Sequence, residues 1–300
     1  MKIIGHKKQV NFLNKSLEND LISQAYIFSG PKGVGKFLIA KKFASTISAG
    51  EKEISVVDGG NFENVIVVEP RSEIKKGVVK VRDISIDDIR DAQKKLSTFP
   101  SSGKYNVLLI NDSERLNKSS QNALLKILEE PNSTSVIILI TSGEGKILPT
   151  IKSRCQVVRF GLVSLQEMKS DLSEVIQDSD LNNLILLSMG RPGLVFDMKN
   201  DAEKLEGKKK DYSDFRGIFS MELFDRINKA EELSKDITGA ISKLESWIWF
   251  VRIQGYKSLE NEINVRSVYA AIEKIEQCLD KIKNTNSNAR LVIENLLINL

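Results

Sequence analysis

The sequence has 300 residues, 41% of them hydrophobic and 28% charged, with a formal net charge of +4. This is ordinary for a globular protein of two or three domains, and so small a positive excess permits contact with nucleic acid without arguing for it. Two cysteines, far apart in sequence, give no disulfide framework and no zinc spacing, and a single histidine, His6, argues against histidine-based catalysis and histidine-rich metal sites.

The opening MKIIGHKKQV lacks the apolar stretch of a signal peptide. The longest apolar runs, such as Val136 to Ile140, are too short to cross a bilayer. A soluble, cytoplasmic protein without membrane attachment is expected. In chain order, strands are predicted at Ala25–Ser29, Val65–Glu69, Asn106–Ile110, Ser135–Thr141 and Gln156–Phe160. Most are near-continuous apolar runs, the pattern of strands buried on both faces of a parallel sheet. Helices are predicted between them at Lys36–Ser48, Ile86–Thr98 and Ser119–Glu129. The alternation predicts an α/β domain with right-handed crossovers.

After Phe160 the strand signals stop. SLQE at Ser164 is a capping box that opens a helix to Val175. Asp180–Met189 reads as a further helix ended by Gly190, and from about Asp201 the chain reads as helical to its end. The charged run EGKKKD, 206–211, is expected to break that region as a solvated loop. Trp247 and Trp249 lie in a largely apolar helix, Ile237–Gly255, and Cys278 lies on a stripe with Ile272, Ile275 and Ile282, as a core thiol would. The expected division is an α/β domain over 1–161, a small helical domain over 162–200 and an all-helical domain over 201–300.

The chemistry concentrates at Gly30, Pro31, Lys32, Gly33, Val34, Gly35, Lys36 and Phe37. This is a phosphate-binding loop, G-x-x-x-x-G-K, standing between a strand and a helix as such loops do. Its glycines let backbone N–H groups curl around phosphate oxygens, and Lys36 reaches the terminal phosphates. The position that should carry a magnesium-binding hydroxyl is Phe37. A second metal ligand is expected directly after the apolar run NVLLI, where Asn111 stands, and the water-orienting position holds Asp112. Two side chains that would bind the metal directly are thus replaced, so autonomous ATP hydrolysis is not expected. ATP or ADP held without turnover, or an empty loop, remain open.

YIFSGPKGVGKF, LLINDSERLNKSSQNALLKILEEP and LPTIKSRCQVVRF, in this order, resemble bacterial clamp-loader subunits of the AAA+ class, and the delta-prime type of DNA polymerase III most of all. The resemblance is dense from Ile3 to Phe160 and thin beyond, apart from NTNSNARLVIENLLINL. It implies a five-stranded AAA+ domain, a helical lid and a C-terminal helical collar. For the triplet Ser153, Arg154 and Cys155 it implies an arginine finger: Arg154 would complete a neighbour's ATP site, and Cys155 would be packed. A finger supplied in trans is worth roughly 10³–10⁵ in rate; a surface ion pair is the ordinary alternative for such an arginine. Thr141 takes the sensor-1 position and Arg191 lies near sensor 2. Implied partners are tau/gamma-type and delta-type subunits, the sliding clamp through the complex, and the primer–template backbone without sequence preference. Arg82, Arg90, Lys94 and Lys95 are candidates for that last contact, with a solvated helix face as the alternative. Many members carry a cysteine-rich zinc module before the second strand. Here that stretch, STISAGEKEISVVDGGNFEN, has no cysteine, so zinc is not expected and no cofactor is required.

An ATP-hydrolysing tau/gamma-type motor is the alternative reading, opposed by Phe37 and Asn111. A stand-alone nucleotide switch or DNA-binding module is opposed by the SRC triplet and the apolar C-terminal helices.

Overall fold

The computed structural model describes residues 2–54, 64–75, 78–100, 103–258 and 265–300. Contacts divide the chain into two compact units, Met1–Ile185 with Gly190–Leu194, and Leu186–Met189 with Val195–Leu300.

The first unit is built on five parallel strands: β1 (Ala25–Ser29), β2 (Val65–Val68), β5 (Asn106–Ile110), β6 (Ser135–Thr141) and β7 (Gln156–Arg159). Their order across the sheet is β2-β5-β6-β1-β7. β1, β5 and β6 are buried along their whole length, which is why their sequences are apolar without alternation. Two core layers cover the sheet. One packs α1 (Lys7–Glu18) and α2 (Lys36–Ala49) on Tyr26, Phe28, Leu109 and Ile138. The other packs α3 (Ile86–Leu96), α4 (Lys118–Glu129) and the short α5 (Pro149–Lys152) on Ile27, Leu108, Ile110 and Leu139. Ser85 caps α3 in a reciprocal box with Asp88, and Asn117 caps α4 by accepting from the Ser120 N–H.

The five predicted strands are all present, with ends that differ by at most one residue. The sequence reading did not include α1, or the antiparallel hairpin of β3 (Ser72–Lys75) and β4 (Val78–Val81). The helices α6 (Leu165–Ser173) and α7 (Leu181–Leu187) lie within their predicted spans, and α8 (Pro192–Asn200) opens just after Arg191.

In the second unit α9 (Ala202–Ile218) runs straight through EGKKKD, which corrects the expected loop. Asp201 caps the helix by accepting from the Lys204 N–H, and pairs three residues apart, Lys208 with Asp211 at 3.4 Å and Lys209 with Glu206 at 3.1 Å, keep the charged turn helical. The far end is anchored by buried Phe215 and Ile218. These outweigh the ~1 kcal/mol helix cost of Gly207. The unit continues with α10 (Leu223–Ser234), α11 (Ile237–Ser258), α12 (Val265–Asn284) and α13 (Ala289–Asn299). Trp247 is fully buried against Phe215, ring centroids 6.0 Å apart, whereas Trp249 is half-buried and donates its indole N–H to Leu186 O at 3.2 Å. Asp214 on α9 pairs with Lys229 of α10 at 3.5 Å and Lys243 of α11 at 3.4 Å, tying three helices together. Among the described residues no helix is long and apolar enough to cross a membrane.

Candidate functional site

The phosphate loop leaves the C-terminal end of β1, where Ser29 pairs with Thr141 of β6. Gly30, Gly33 and Gly35 have φ of 152°, 79° and 102°, values that glycine adopts without strain. A Cβ on Gly30 would lie 2.0 Å from Phe160 O. The Gly33 carbonyl accepts from the Gly193 N–H at 2.8 Å, so the loop also caps the first turn of α8. Lys36 is buried and turned back on the loop, donating to Gly30 O and Pro31 O at 2.7 Å each. Burial pushes its ammonium down to about 8, against the pull of Glu114 and Asp112. His6 holds the loop from beneath: its Nε2–H donates to Val34 O at 2.9 Å, and burial lowers its pKa. No sequence signal distinguished His6 as a loop contact.

At the metal positions, Phe37 is half-buried and packs on the core layer that includes Leu13, Phe28 and Phe43. The Asn111 amide donates to Glu69 Oε1 at 3.1 Å. Asp112, at φ 47°, pairs with Lys32 of the loop at 3.5 Å. An aromatic ring, an amide engaged with a carboxylate, and a carboxylate engaged with a lysine do not fit the oxygen set that magnesium requires.

Thr141 is buried at the end of β6, its hydroxyl accepting from the Gly143 N–H at 3.0 Å. Beside it stands Glu114, which sequence reasoning did not select. Its carboxylate accepts from the hydroxyl and N–H of Ser142. Burial alone would raise its pKa, but these hydrogen bonds, with help from Thr141, hold it below the usual carboxylate range. Glu114 therefore brings a negative charge to the phosphate side of the loop. Arg191 lies across the loop, its Cβ 3.5 Å from where a Gly33 side chain would begin, and its buried Nε has no hydrogen-bond partner. Like Lys36, which spends two of its three N–H donors on loop carbonyls, it has donor capacity left at this site.

Arg154 follows α5 on the surface. Its Nη2 pairs with Glu129 Oε1 at 3.0 Å and its Nη1 donates to Thr150 O at 3.1 Å. Ser153 Oγ donates to the same carbonyl at 3.0 Å. Cys155 packs on the second core layer, and burial pushes its thiol up to about 12, so it stays protonated. Of the basic residues near α3, Arg90 pairs with Asp87 at 3.6 Å and Lys94 with Asp91 at 3.0 Å. Residues 55–63, nine of the twenty in the cysteine-free stretch where a zinc module was not expected, lie outside the described residues.

A glycine-rich G-x-x-x-x-G-K loop on the β1 end of a β2-β5-β6-β1-β7 parallel sheet, with Thr141 at the end of the adjacent strand, defines an AAA+-type fold. A family model described as DNA polymerase III, delta subunit, matches residues 5–164, and the chain belongs to that family. The sequence is 29% identical to subunit tau of Bacillus subtilis DNA polymerase III over 189 residues, which are 60% of this chain and 32% of that protein. It is 30% identical to subunit delta' of the Pseudomonas aeruginosa enzyme over 183 residues, 57% of this chain and 54% of that one. The chain thus spans a third to a half of the length of these relatives, and they carry both subunit names. Among solved structures it is similar to a DNA polymerase III gamma subunit-related protein of Thermotoga maritima, at 20% identity, 97% coverage of both chains and a TM-score of 0.43. It is also similar to the clamp loader delta protein of Bacillus subtilis, at 14% identity, 97% and 98% coverage and a TM-score of 0.37.

Proposed function

We propose that this chain is a delta-prime-type clamp-loader subunit that does not hydrolyse ATP itself and supplies Arg154 to the ATP site of a neighbouring subunit. The observation that carries the reading is the state of the metal positions: Phe37 is spent on the core, Asn111 on Glu69 and Asp112 on Lys32. Phosphoryl transfer relies on a metal to neutralise charge developing on the phosphates. The loop keeps its three permissive glycines and Lys36, and Arg191 keeps a free buried donor, so ATP or ADP held by these groups without turnover belongs to the reading. Neither zinc nor any other cofactor is needed for it.

The proposed partners are tau/gamma-type and delta-type subunits, and through their complex the sliding clamp. Contact with the primer–template backbone near Arg82, Arg90, Lys94 and Lys95 would be sequence-independent and salt-sensitive. The place of action is the cytoplasm. Arg154 suits the finger role because its fork is always charged and matches phosphate oxygens.

The test is clamp- and DNA-stimulated ATP hydrolysis by the chain mixed with an ATPase clamp-loader subunit and a delta subunit. The chain alone should be silent, and Arg154→Ala should slow the mixture by at least about 10³ at the site it serves. Unchanged turnover with Arg154→Ala would remove the finger. A second reading, an ATP-hydrolysing tau/gamma-type motor, draws on the 29% identity to a tau subunit. Magnesium-dependent turnover by the chain alone would establish that reading instead.

A further inference from the structure

Glu129 is the last residue of α4, and its Oε1 receives Arg154 Nη2 at 3.0 Å. A carboxylate in the last turn of a helix has the wrong sign for the helix dipole. Glu130 follows it, and Lys126 is the basic residue of that turn. The pair with Arg154 offsets this, but the side chains are 39% and 52% exposed, and exposed pairs of this kind contribute little to stability. Stability therefore does not account for an acid at this position.

Direction does. Arg154 has five N–H donors in one plane. One Nη1–H is fixed on Thr150 O at 3.1 Å and one Nη2–H on Glu129. The remaining donors are left for an incoming anion. We infer that Glu129 is a positioning residue for Arg154, holding the guanidinium pre-turned for a neighbour's nucleotide phosphates and fastening it to the end of α4. This rests on the reading of Arg154 as a finger in trans. A side chain already held gives up less freedom when it engages the transition state, and an exposed pair yields readily to a more highly charged phosphate. The same contact makes the aim of the finger depend on where α4 lies.

The experiment uses the reconstituted complex, isolated by size exclusion so that turnover is compared per assembled particle. kcat and KM for ATP are measured for wild type, Glu129→Ala, Glu129→Gln, Arg154→Ala and the double variant Glu129→Ala/Arg154→Ala. Glu129→Ala should lower kcat about 5- to 10-fold with KM changed less than about twofold, the signature of lost positioning. Glu129→Gln, whose amide oxygen still accepts from Nη2, should recover most of the loss. The double variant should equal Arg154→Ala alone. If Glu129→Ala turns over as wild type, or its loss repeats in full on the Arg154→Ala background, Glu129 does not act through the finger. If Arg154→Ala is itself without effect, the finger reading falls and this inference with it.

Discussion

At Asn111 the side-chain amide faces Glu69 Oε1 across 3.1 Å, so this neutral residue is matched to a neighbour 42 positions away. An aspartate at 111 would set two carboxylates at hydrogen-bond distance, and like charges that close repel by one to a few kcal/mol near a protein surface. Restoring Phe37→Thr and Asn111→Asp alone should therefore bring little magnesium-dependent ATP affinity. Adding Glu69→Gln should raise it about tenfold, as titration calorimetry with and without magnesium would show. Equal gains from the double and triple variants would clear Glu69 of blocking the metal. Lys36 gives a second test. Its folded pKa of about 8 lies below the ordinary 10.5, so between those values the unfolded chain binds the extra proton. Stability should then rise with pH across that window, the burial penalty being full below pH 8. The urea midpoint of wild type relative to Lys36→Met should climb from pH 8 to 10. A flat difference would mean that the ammonium is not held buried.

Among elements, the loop between β1 and α2 is fixed by backbone contacts on both sides. Gly30→Ala forces a Cβ to 2.0 Å from Phe160 O, whereas a Cβ at Gly35 meets nothing within 4 Å. Both have positive φ. The first should cost about 2 kcal/mol or more and the second about 1 kcal/mol, read as shifts in denaturation midpoint. Equal costs would remove the packing role assigned to Gly30. The buried strands were legible because continuous apolar runs have few other homes in a fold. The hairpin β3–β4 was not, since SEIK and VVKV are short and mixed. EGKKKD was misread because its charges look solvated, and nothing local reveals that Asp201 and Phe215 anchor the two ends of that helix. At the site, the glycines and Lys36 announce themselves by spacing. Their partners do not: Glu69 is distant in sequence, Glu114 lies in a short turn without periodicity, and Glu129 ends a helix where an acid carries no signal.

For the molecule as a whole, the phosphate loop is a joint as much as a ligand cradle. Phe160, at the end of β7, presses on Gly30, Gly193 at the start of α8 hangs from Gly33, and His6 before α1 hangs from Val34. Three distant stretches of chain lean on eight consecutive residues. Mutations at Gly30, Gly33 and Val34 disturb the fold before any loss of chemistry is felt, whereas the side chains at 37 and 111 carry none of these three contacts. A lineage that abandons hydrolysis will thus shed its metal ligands first and keep the glycine signature long afterwards. On the function proposed above, a genomic census that counts motors by the glycine signature alone would count chains like this one among them.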